Sequence, residues 1–120
     1  MISEYDEQVA IFKWAMVKSK EYPELKLLNG SLNGVRLSIG AAMKAKAAGM
    51  RKGYPDLFLP VPKRNAHGLF VELKQSGKTP SAVSEDQHVW LYLLNKQGYH
   101  ACVAFGYHEA IDILSWYMGG

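Results

Sequence analysis

The sequence has few of the residues from which several classes of site are built. Its 120 residues include one cysteine, Cys102, which excludes an internal disulfide and a cysteine-based zinc cluster. No apolar run approaches the ~18 residues of a membrane span, and there are no repeats, low-complexity tracts or domain linkers. The histidines lack the H-x-x-x-H spacing of a helical zinc site, which argues against one; they are His67, His88, His100 and His108.

What the chain does contain is typical of one small globular domain, which we expect to cover residues 1–120. Hydrophobic residues make up 48% of the sequence and charged residues 21%, which suits a folded chain with a single core. The net charge of +3 permits a polyanionic partner without requiring one. Because the first residues, MISEYDEQ, are acidic rather than basic, we expect no secretion signal and a cytoplasmic location.

Four helices are predicted from capping residues and apolar spacing. Ser3 caps the first, which should end just before Pro23, and the second is the Ala- and Lys-rich segment 41–48, ended by a glycine. Ser84 caps the third, with Gln87 at the capping-box position, and the fourth covers 108–117. The residues expected to be buried are Val9, Phe12, Met16, Val89, Trp90, Leu93, Leu94, Ile111, Leu114 and Tyr117.

Four strands are predicted between these helices, over 25–30, 56–61, 69–74 and 99–105. The segment LNGVRLS, which follows the first strand, is predicted to be a loop. The second and third strands are expected to pair in antiparallel fashion across the polar loop KRNAHG. The order helix, strand, helix, strand, strand, helix, strand, helix predicts a small mixed α/β layer fold.

Charged residues stand in the two central strands, where a purely structural sheet would carry Val, Ile or Thr. Strand alternation puts Glu72 and Lys74 on one face, and Asp56 opens the preceding strand. If the two strands pair, Asp56 and Glu72 converge at one end of the sheet. Two carboxylates suit a hard cation such as Mg²⁺, which can generate hydroxide and stabilise a phosphorane-like transition state. A nearby lysine can orient water and neutralise a phosphate, so the set predicts phosphodiester hydrolysis.

Each part of this set has a simpler structural interpretation when it is taken alone. A bare E-x-K favours a solvated strand face with an ordinary surface ion pair. A bare P-D favours a turn, since both residues are common turn formers. The two together, with Asp56 and Glu72 sixteen residues apart in neighbouring strands, shift the balance toward a site.

Five motifs, in this order, resemble the virus-type replication-repair nuclease (VRR-NUC) domain of the PD-(D/E)XK nuclease superfamily. They are SEYDEQ, NGVRLSIGAAMKAKAAGMRKGYPDLFLP, GLFVELK, SEDQHVWLYLL and GYHACVAFGYHEAIDIL. The resemblance covers about residues 4–117. It implies a restriction-endonuclease-like α/β fold, in which helices flank a small mixed sheet.

The resemblance also implies a role for the residues that match the family's motifs. Asp56 and Glu72 would be metal ligands, joined by the backbone carbonyl of Leu73. Lys74 would be the catalytic lysine. Gln87 would lie beside it on the next helix and position water or phosphate.

The N-terminal acidic residue of the family's pattern has two candidates in this chain. Glu4 stands four residues before Gln8, which puts both on one helix face and fits the family spacing better, so it is favoured as a metal ligand. Glu7 is the alternative, and either could be only a favourable first-turn charge. The chain departs from the family pattern at Tyr54, in the G-x-P-D slot, and in the longer connector SGKTPSAV.

Basic and aromatic residues are the candidate contacts for DNA. Arg51 and Lys52 flank the Asp56 turn and are the best candidates for phosphate contacts. The other basic residues considered are each expected to be solvated charges: Lys44, Lys46, Lys63, Arg64 and Lys78. The tryptophans are expected to be core or dimer contacts rather than platforms for base stacking; they are Trp14, Trp90 and Trp116.

The resemblance implies a DNA endonuclease that depends on Mg²⁺, with Mn²⁺ able to substitute. Stand-alone members of the family resemble archaeal Holliday junction resolvases, which act as symmetric homodimers, so the expected substrate is a four-way junction or other branched DNA. A role in DNA repair and a phage or prophage origin in a bacterial host are also expected. The alternatives are a flap, fork or restriction-like nuclease, and a non-catalytic DNA-binding domain of the same fold.

Overall fold

A computed structural model describes residues 2–31 and 36–119, which form four helices and a four-stranded sheet. The helices are α1 (Glu4–Lys18), α2 (Ile39–Ala47), α3 (Glu85–Lys96) and α4 (Tyr107–Met118). The strands are β1 (Asn29–Gly30), β2 (Leu57–Leu59), β3 (Leu69–Lys74) and β4 (His100–Phe105). Short 3₁₀ turns cover Pro23–Leu27 and Pro80–Ala82. The predicted α/β fold class is confirmed.

The strands lie in the order β1-β2-β3-β4 and form a mixed sheet. β2 is antiparallel to both β1 and β3, and β3 is parallel to β4. The parallel pair requires a crossover connection, which α3 supplies. The predicted pairing of β2 with β3 is confirmed, with Leu57 opposite Val71 and Leu59 opposite Leu69. This register determines which residue of β3 lies opposite the residue that precedes β2.

The two faces of β3 are covered by different parts of the chain. The odd-numbered residues, such as Leu73, pack in the main core with residues of α1 and α4, among them Ile11 and Leu114. On the other face the ring of Phe70 stacks on that of Phe58, with centroids 4.2 Å apart. Since both faces are covered, a charged residue at position 72 is buried.

Helix α1 differs from its prediction in length and in the face that it buries. It ends at Lys18 rather than just before Pro23, and Met16, predicted to be buried, is 76% exposed. Its buried side chains are Glu7, Ile11 and Ala15, while Val9 and Phe12 are only half-buried. The apolar pattern was misleading because one of the inward positions is an acid.

The remaining boundary corrections concern short elements and one helix face. The predicted strand 25–30 is a 3₁₀ turn followed by the two-residue β1, and β2 is shorter than 56–61, since Pro60 has no N–H to extend the ladder. α3 buries Leu91, whereas Val89 and Leu93 are about half exposed. α4 buries Leu114 and Tyr117 as predicted.

Several other predictions are confirmed or fall partly outside the described residues. The strand β3 has its predicted bounds, and α3 begins with the predicted capping box. α2 starts two residues before the predicted segment, and β4 starts one residue later. Residues 32–35 of the predicted loop LNGVRLS lie outside the described part of the chain. No helix within the described ranges is long and apolar enough to cross a membrane.

Glu7 is a buried anchor that joins three elements. Its side chain is 0% exposed, and its carboxylate accepts hydrogen bonds from the Ser76 backbone N–H (2.8 Å), the Ser76 hydroxyl and the Tyr107 N–H (3.0 Å). Burial raises the pKa of Glu7, but the hydrogen bonds outweigh it and hold the pKa below its ordinary value. The charge therefore caps α4, whose N-cap residue, Gly106, has no side chain to do so.

We predict that Glu7→Ala lowers the free energy of unfolding by about 3 kcal/mol, because it removes a fully buried side chain and leaves the part-buried donors of Ser76 and Tyr107 without an acceptor. Urea denaturation measures this, with the exposed neighbour Asp6→Ala as a control that changes it by less than about 1 kcal/mol. Since the folded pKa of Glu7 is below its ordinary value of 4.5, its contribution is present above that pH and lost as the pH falls. Equal losses for both variants would contradict the anchoring role.

Candidate active site

Two acidic residues meet where β2 begins. Because Leu57 is opposite Val71 in the antiparallel pair, Asp56 and Glu72 are the next residues to face each other. Both are buried, with exposed fractions of 5% and 3%. Oδ2 of Asp56 accepts a hydrogen bond from the Leu73 N–H at 2.7 Å, which fixes the carboxylate against β3. The register of the sheet therefore brings the two carboxylates together.

Lys74 and Gln87 both approach the same oxygen of Glu72. The ammonium nitrogen of Lys74 lies 3.9 Å from Oε2 of Glu72, and Nε2 of Gln87 donates a hydrogen bond to that oxygen at 3.0 Å. The side chain of Lys74 is only 14% exposed. The interpretation of E-x-K as a solvated surface pair is therefore wrong.

The capping box of α3 determines the direction of the Gln87 side chain. The side-chain Oε1 of Gln87 accepts a hydrogen bond from the Ser84 backbone N–H at 2.8 Å. The backbone N–H of Gln87 donates to Oγ of Ser84 at 3.2 Å. The same side-chain amide then has its N–H₂ group free to reach Glu72. Gln87 thus takes part in the cap of α3 and also holds the carboxylate of Glu72.

The loop before Asp56 is held in place by a close approach to α3. Gly53 has a φ of +85°, and a Cβ at this position would lie 2.8 Å from the backbone carbon of Asp86. A larger residue would meet both steric conflict and backbone strain. The next residue, Tyr54, packs its ring edge-to-face against Phe70 and Trp90. Glycine and tyrosine therefore position the P-D turn.

A cavity of about 360 Å³ opens above the two carboxylates. Its lining residues are Glu4, Lys52, Gly53, Tyr54, Asp56, Glu72, Ser84 and Gln87. Glu4 lies here, and its pKa is raised by burial and by the charge of Asp56. Glu7 does not line this cavity and is engaged by Ser76 and Tyr107. The structure thus separates the two N-terminal candidates, and Glu4 is the one at the cavity.

The carboxylate pair is electrostatically unfavourable when both groups are ionised. Burial, followed by the neighbouring charge of Asp56 and a hydrogen bond between the two groups, raises the pKa of Glu72 to about 9. Burial also raises the pKa of Asp56, although the Leu73 N–H and Lys74 oppose it. Near neutral pH the pair therefore retains a proton, and the site favours any added positive charge.

The donor atoms at this position fit a hard divalent cation. Oε1 of Glu72 is buried and has no hydrogen-bond partner in the described part of the chain. The N–H of Leu73 faces the β2 edge, and in an extended strand the carbonyl of the same residue faces that edge as well. Two carboxylates, a carbonyl and water form the all-oxygen set that Mg²⁺ prefers.

No group of three His, Cys, Asp or Glu side chains within residues 2–31 and 36–119 has a metal-binding arrangement. A cation here would therefore depend on Asp56, Glu72, the Leu73 carbonyl and water. Direct ligation by Glu4 stays a prediction, although Glu4 lines the same cavity.

The basic residues divide into two groups. Lys52 lines the cavity, is 88% exposed along its side chain and lies 3.6 Å from Asp86. Arg51 is exposed next to it. Lys63 and Arg64 instead donate hydrogen bonds to backbone carbonyls at the end of α4. The first pair can meet a phosphate backbone at the cavity, while the second pair caps a helix.

Sequence reasoning missed the positioning roles of Tyr54 and Ser84, and the contact of Gly53 with α3. Tyr54 was noted only as a departure from a motif, and Ser84 only as a helix cap. The signal for Tyr54 was an aromatic residue inside a Gly-Pro turn, where no apolar face is predicted. The contact of Gly53 with α3 joins segments distant in sequence, and no local pattern indicates it.

Comparison with known proteins gives one family and one described structural neighbour. The VRR-NUC domain family matches residues 2–107. A solved structure described as a VRR_NUC domain protein is similar, with a TM-score of 0.80 and 26% sequence identity. The alignment covers 98% of this chain and 89% of that chain. No curated protein matches significantly.

We predict that Glu72→Gln stabilises the metal-free protein by about 2 kcal/mol at pH 8, because it removes the cost of keeping a buried carboxyl protonated at a pH where the unfolded chain ionises it. Because the folded pKa of Glu72 is raised, its contribution to the free energy of unfolding is fully present below its ordinary pKa of 4.5. That contribution is lost as the pH rises toward 9. Urea unfolding in chelator at pH 5 and pH 8 measures it.

The control for this experiment is Glu85→Gln, an exposed acid in the first turn of α3. It should not reproduce the pH-dependent gain. A Glu72→Gln variant that is destabilised equally at both pH values would contradict the assigned pKa.

Proposed function

The chain belongs to the VRR-NUC family, and on that premise we propose that it is a Mg²⁺-dependent endonuclease that cuts branched DNA, with four-way junctions as its preferred substrate. The family is one of nucleases of the PD-(D/E)XK superfamily, which act on DNA.

The observation that carries this proposal is the buried pair of Asp56 and Glu72, open to a cavity and approached by Lys74 and Gln87. A purely structural sheet gains nothing from two adjacent buried acids. Their arrangement is favourable when a cation and a phosphate share the cavity with them. A non-catalytic domain of the same fold would have no use for all four groups.

Asp56, Glu72 and the Leu73 carbonyl would hold the cation. When bound, a divalent cation supplies Lewis acidity and makes water a nucleophile near neutral pH. The Leu73 N–H and the Gln87 amide hold the two carboxylates in fixed orientations, so that little reorganisation is needed on binding. Through these two hydrogen bonds the chain would hold the carboxylates in place for the cation.

Lys74 would act on the phosphate. Its ammonium lies at the edge of the carboxylate pair and is largely shielded from solvent, which strengthens its attraction to an anion. It can neutralise the scissile phosphate and donate a hydrogen bond to the attacking water. In-line attack would expel the 3′ oxygen and leave a 5′-phosphate, as family resemblance implies.

The branched substrate and the homodimer follow from what the small domain offers. A two-fold dimer would present two sites for paired nicks in a four-way junction. Exposed apolar side chains on α3 support an interface of this kind: Val89 (50%), Tyr92 (61%) and Leu93 (49%). Lys52 and Arg51 beside the cavity support contact with DNA phosphates.

We predict that wild-type protein with Mg²⁺ nicks a synthetic four-way junction symmetrically, and that Asp56→Ala binds the junction but does not cut it. Loss of a metal ligand should lower the cleavage rate by at least about a thousandfold. Gel assays of labelled junctions measure cleavage, and mobility shift in Ca²⁺ measures binding. Lys26→Ala, an exposed lysine in the 3₁₀ turn, serves as the matched control and should cut normally.

We further predict that four-way junctions are cut faster than flaps or linear duplex when all three are assayed in parallel. Mn²⁺ should replace Mg²⁺, and chelation should abolish cutting. Equal cleavage of the three substrates would contradict the junction preference. Failure to cut any DNA in either metal would favour the non-catalytic alternative.

A further inference from the structure

A second cavity, of about 550 Å³, lies beside the candidate active site, between α2 and α3. Tyr54 lines both cavities, so an occupant of the second lies one side chain away from the first. Its lining includes Ser31, Ala45, Arg51, Tyr54 and Trp90.

Aromatic rings form one wall of this cavity, and they are fixed. The rings of Tyr54 and Trp90 meet edge-to-face with centroids 5.0 Å apart. Nε1 of Trp90 donates a hydrogen bond to the Lys52 carbonyl at 3.1 Å. A tryptophan held in this way cannot swing in to fill the space. The structure therefore differs from the expectation that Trp90 is a core residue.

Ser31 also lines this cavity and connects it to the candidate active site. Oγ of Ser31 is buried and has no hydrogen-bond partner among the described residues. The backbone N–H of Ser31 donates to the Asp56 carbonyl at 2.7 Å, which ties this cavity to the carboxylate pair. Arg51 adds a positive charge that is exposed to solvent at the same cavity.

We propose that this cavity binds one unpaired nucleobase of the DNA substrate, next to the phosphate that is cut. This inference rests on the proposed nuclease function and specifies its substrate class. Tyr54 and Trp90 offer aromatic surface to the base, and Arg51 meets the adjoining phosphate. The volume is within the range of ligand pockets.

The consequence is a requirement on DNA shape. A base that stays paired and stacked cannot enter a cavity beside the carboxylates, so the substrate must have an unpaired or extruded nucleotide at the cut. A flap supplies such a nucleotide directly, and a four-way junction supplies one when a base pair at the branch point opens, whereas uninterrupted duplex holds its bases stacked. The preference for branched DNA would then arise in part within one chain.

The test is a scan of four-way junctions and flaps in which single nucleotides around the cut are replaced by abasic sites. Binding is measured by anisotropy in Ca²⁺, and cleavage in Mg²⁺. For the wild type, one position next to the cut should weaken binding about tenfold when its base is removed. Trp90→Ala should bind intact DNA about tenfold more weakly and lose this dependence on the base.

Two further variants keep the test independent of any folding defect in Trp90→Ala. Ala45→Leu fills the cavity from α2, a helix with no buried residues, and should also abolish the dependence. Trp116→Ala removes a half-exposed tryptophan that stacks with His100 and Arg64 and does not line the cavity, so it should keep the full dependence.

The outcomes separate this inference from the proposed function. If the wild type cuts DNA but no abasic position changes its binding, the base-binding cavity is overturned and the nuclease function stands. If binding depends on the abasic position but no DNA is cut in Mg²⁺ or Mn²⁺, the nuclease function is overturned and the base-binding cavity stands. If Ala45→Leu changes the oligomer mass but not the scan, the occupant is a second copy of this chain, and the inference is wrong.

Discussion

The repulsion between two buried carboxylates is the constraint around which this small fold is arranged. Asp56 and Glu72 are side by side because β2 and β3 pair in one register, and a shift by one residue would separate them. Burial makes each charge costly, and proximity makes the pair more so. A proton relieves the repulsion in the free protein, and under the proposed function a divalent cation would take its place.

Supports from distant parts of the sequence keep the pair in place. The Leu73 N–H holds Asp56, and the capping box of α3 directs Gln87 onto Glu72. Glu7 joins α1 to the loop after β3 and to the start of α4, while Glu4, about one helical turn earlier, lies at the cavity. Helix caps and site contacts therefore share residues, so that local structure and chemistry cannot be changed independently.

Much of this arrangement could be predicted from the sequence, because period-two alternation and capping residues are local signals. They correctly indicated β3, its antiparallel partner and the cap of α3. They failed for α1, where a buried acid replaced the apolar residue that the pattern requires. They also failed for Trp90, whose hydrogen bond to Lys52 depends on a contact between segments far apart in the chain.

The central claim is that Asp56 and Glu72 bind a divalent cation in place of the proton that they share. Calorimetric titration of Mn²⁺ into the metal-free protein at pH 7.5, in buffers of different ionisation enthalpy, tests it most directly. The account predicts one binding event at this pair that releases about one proton and is absent in Glu72→Gln. Binding of equal strength in that variant, or binding without proton release, would contradict it.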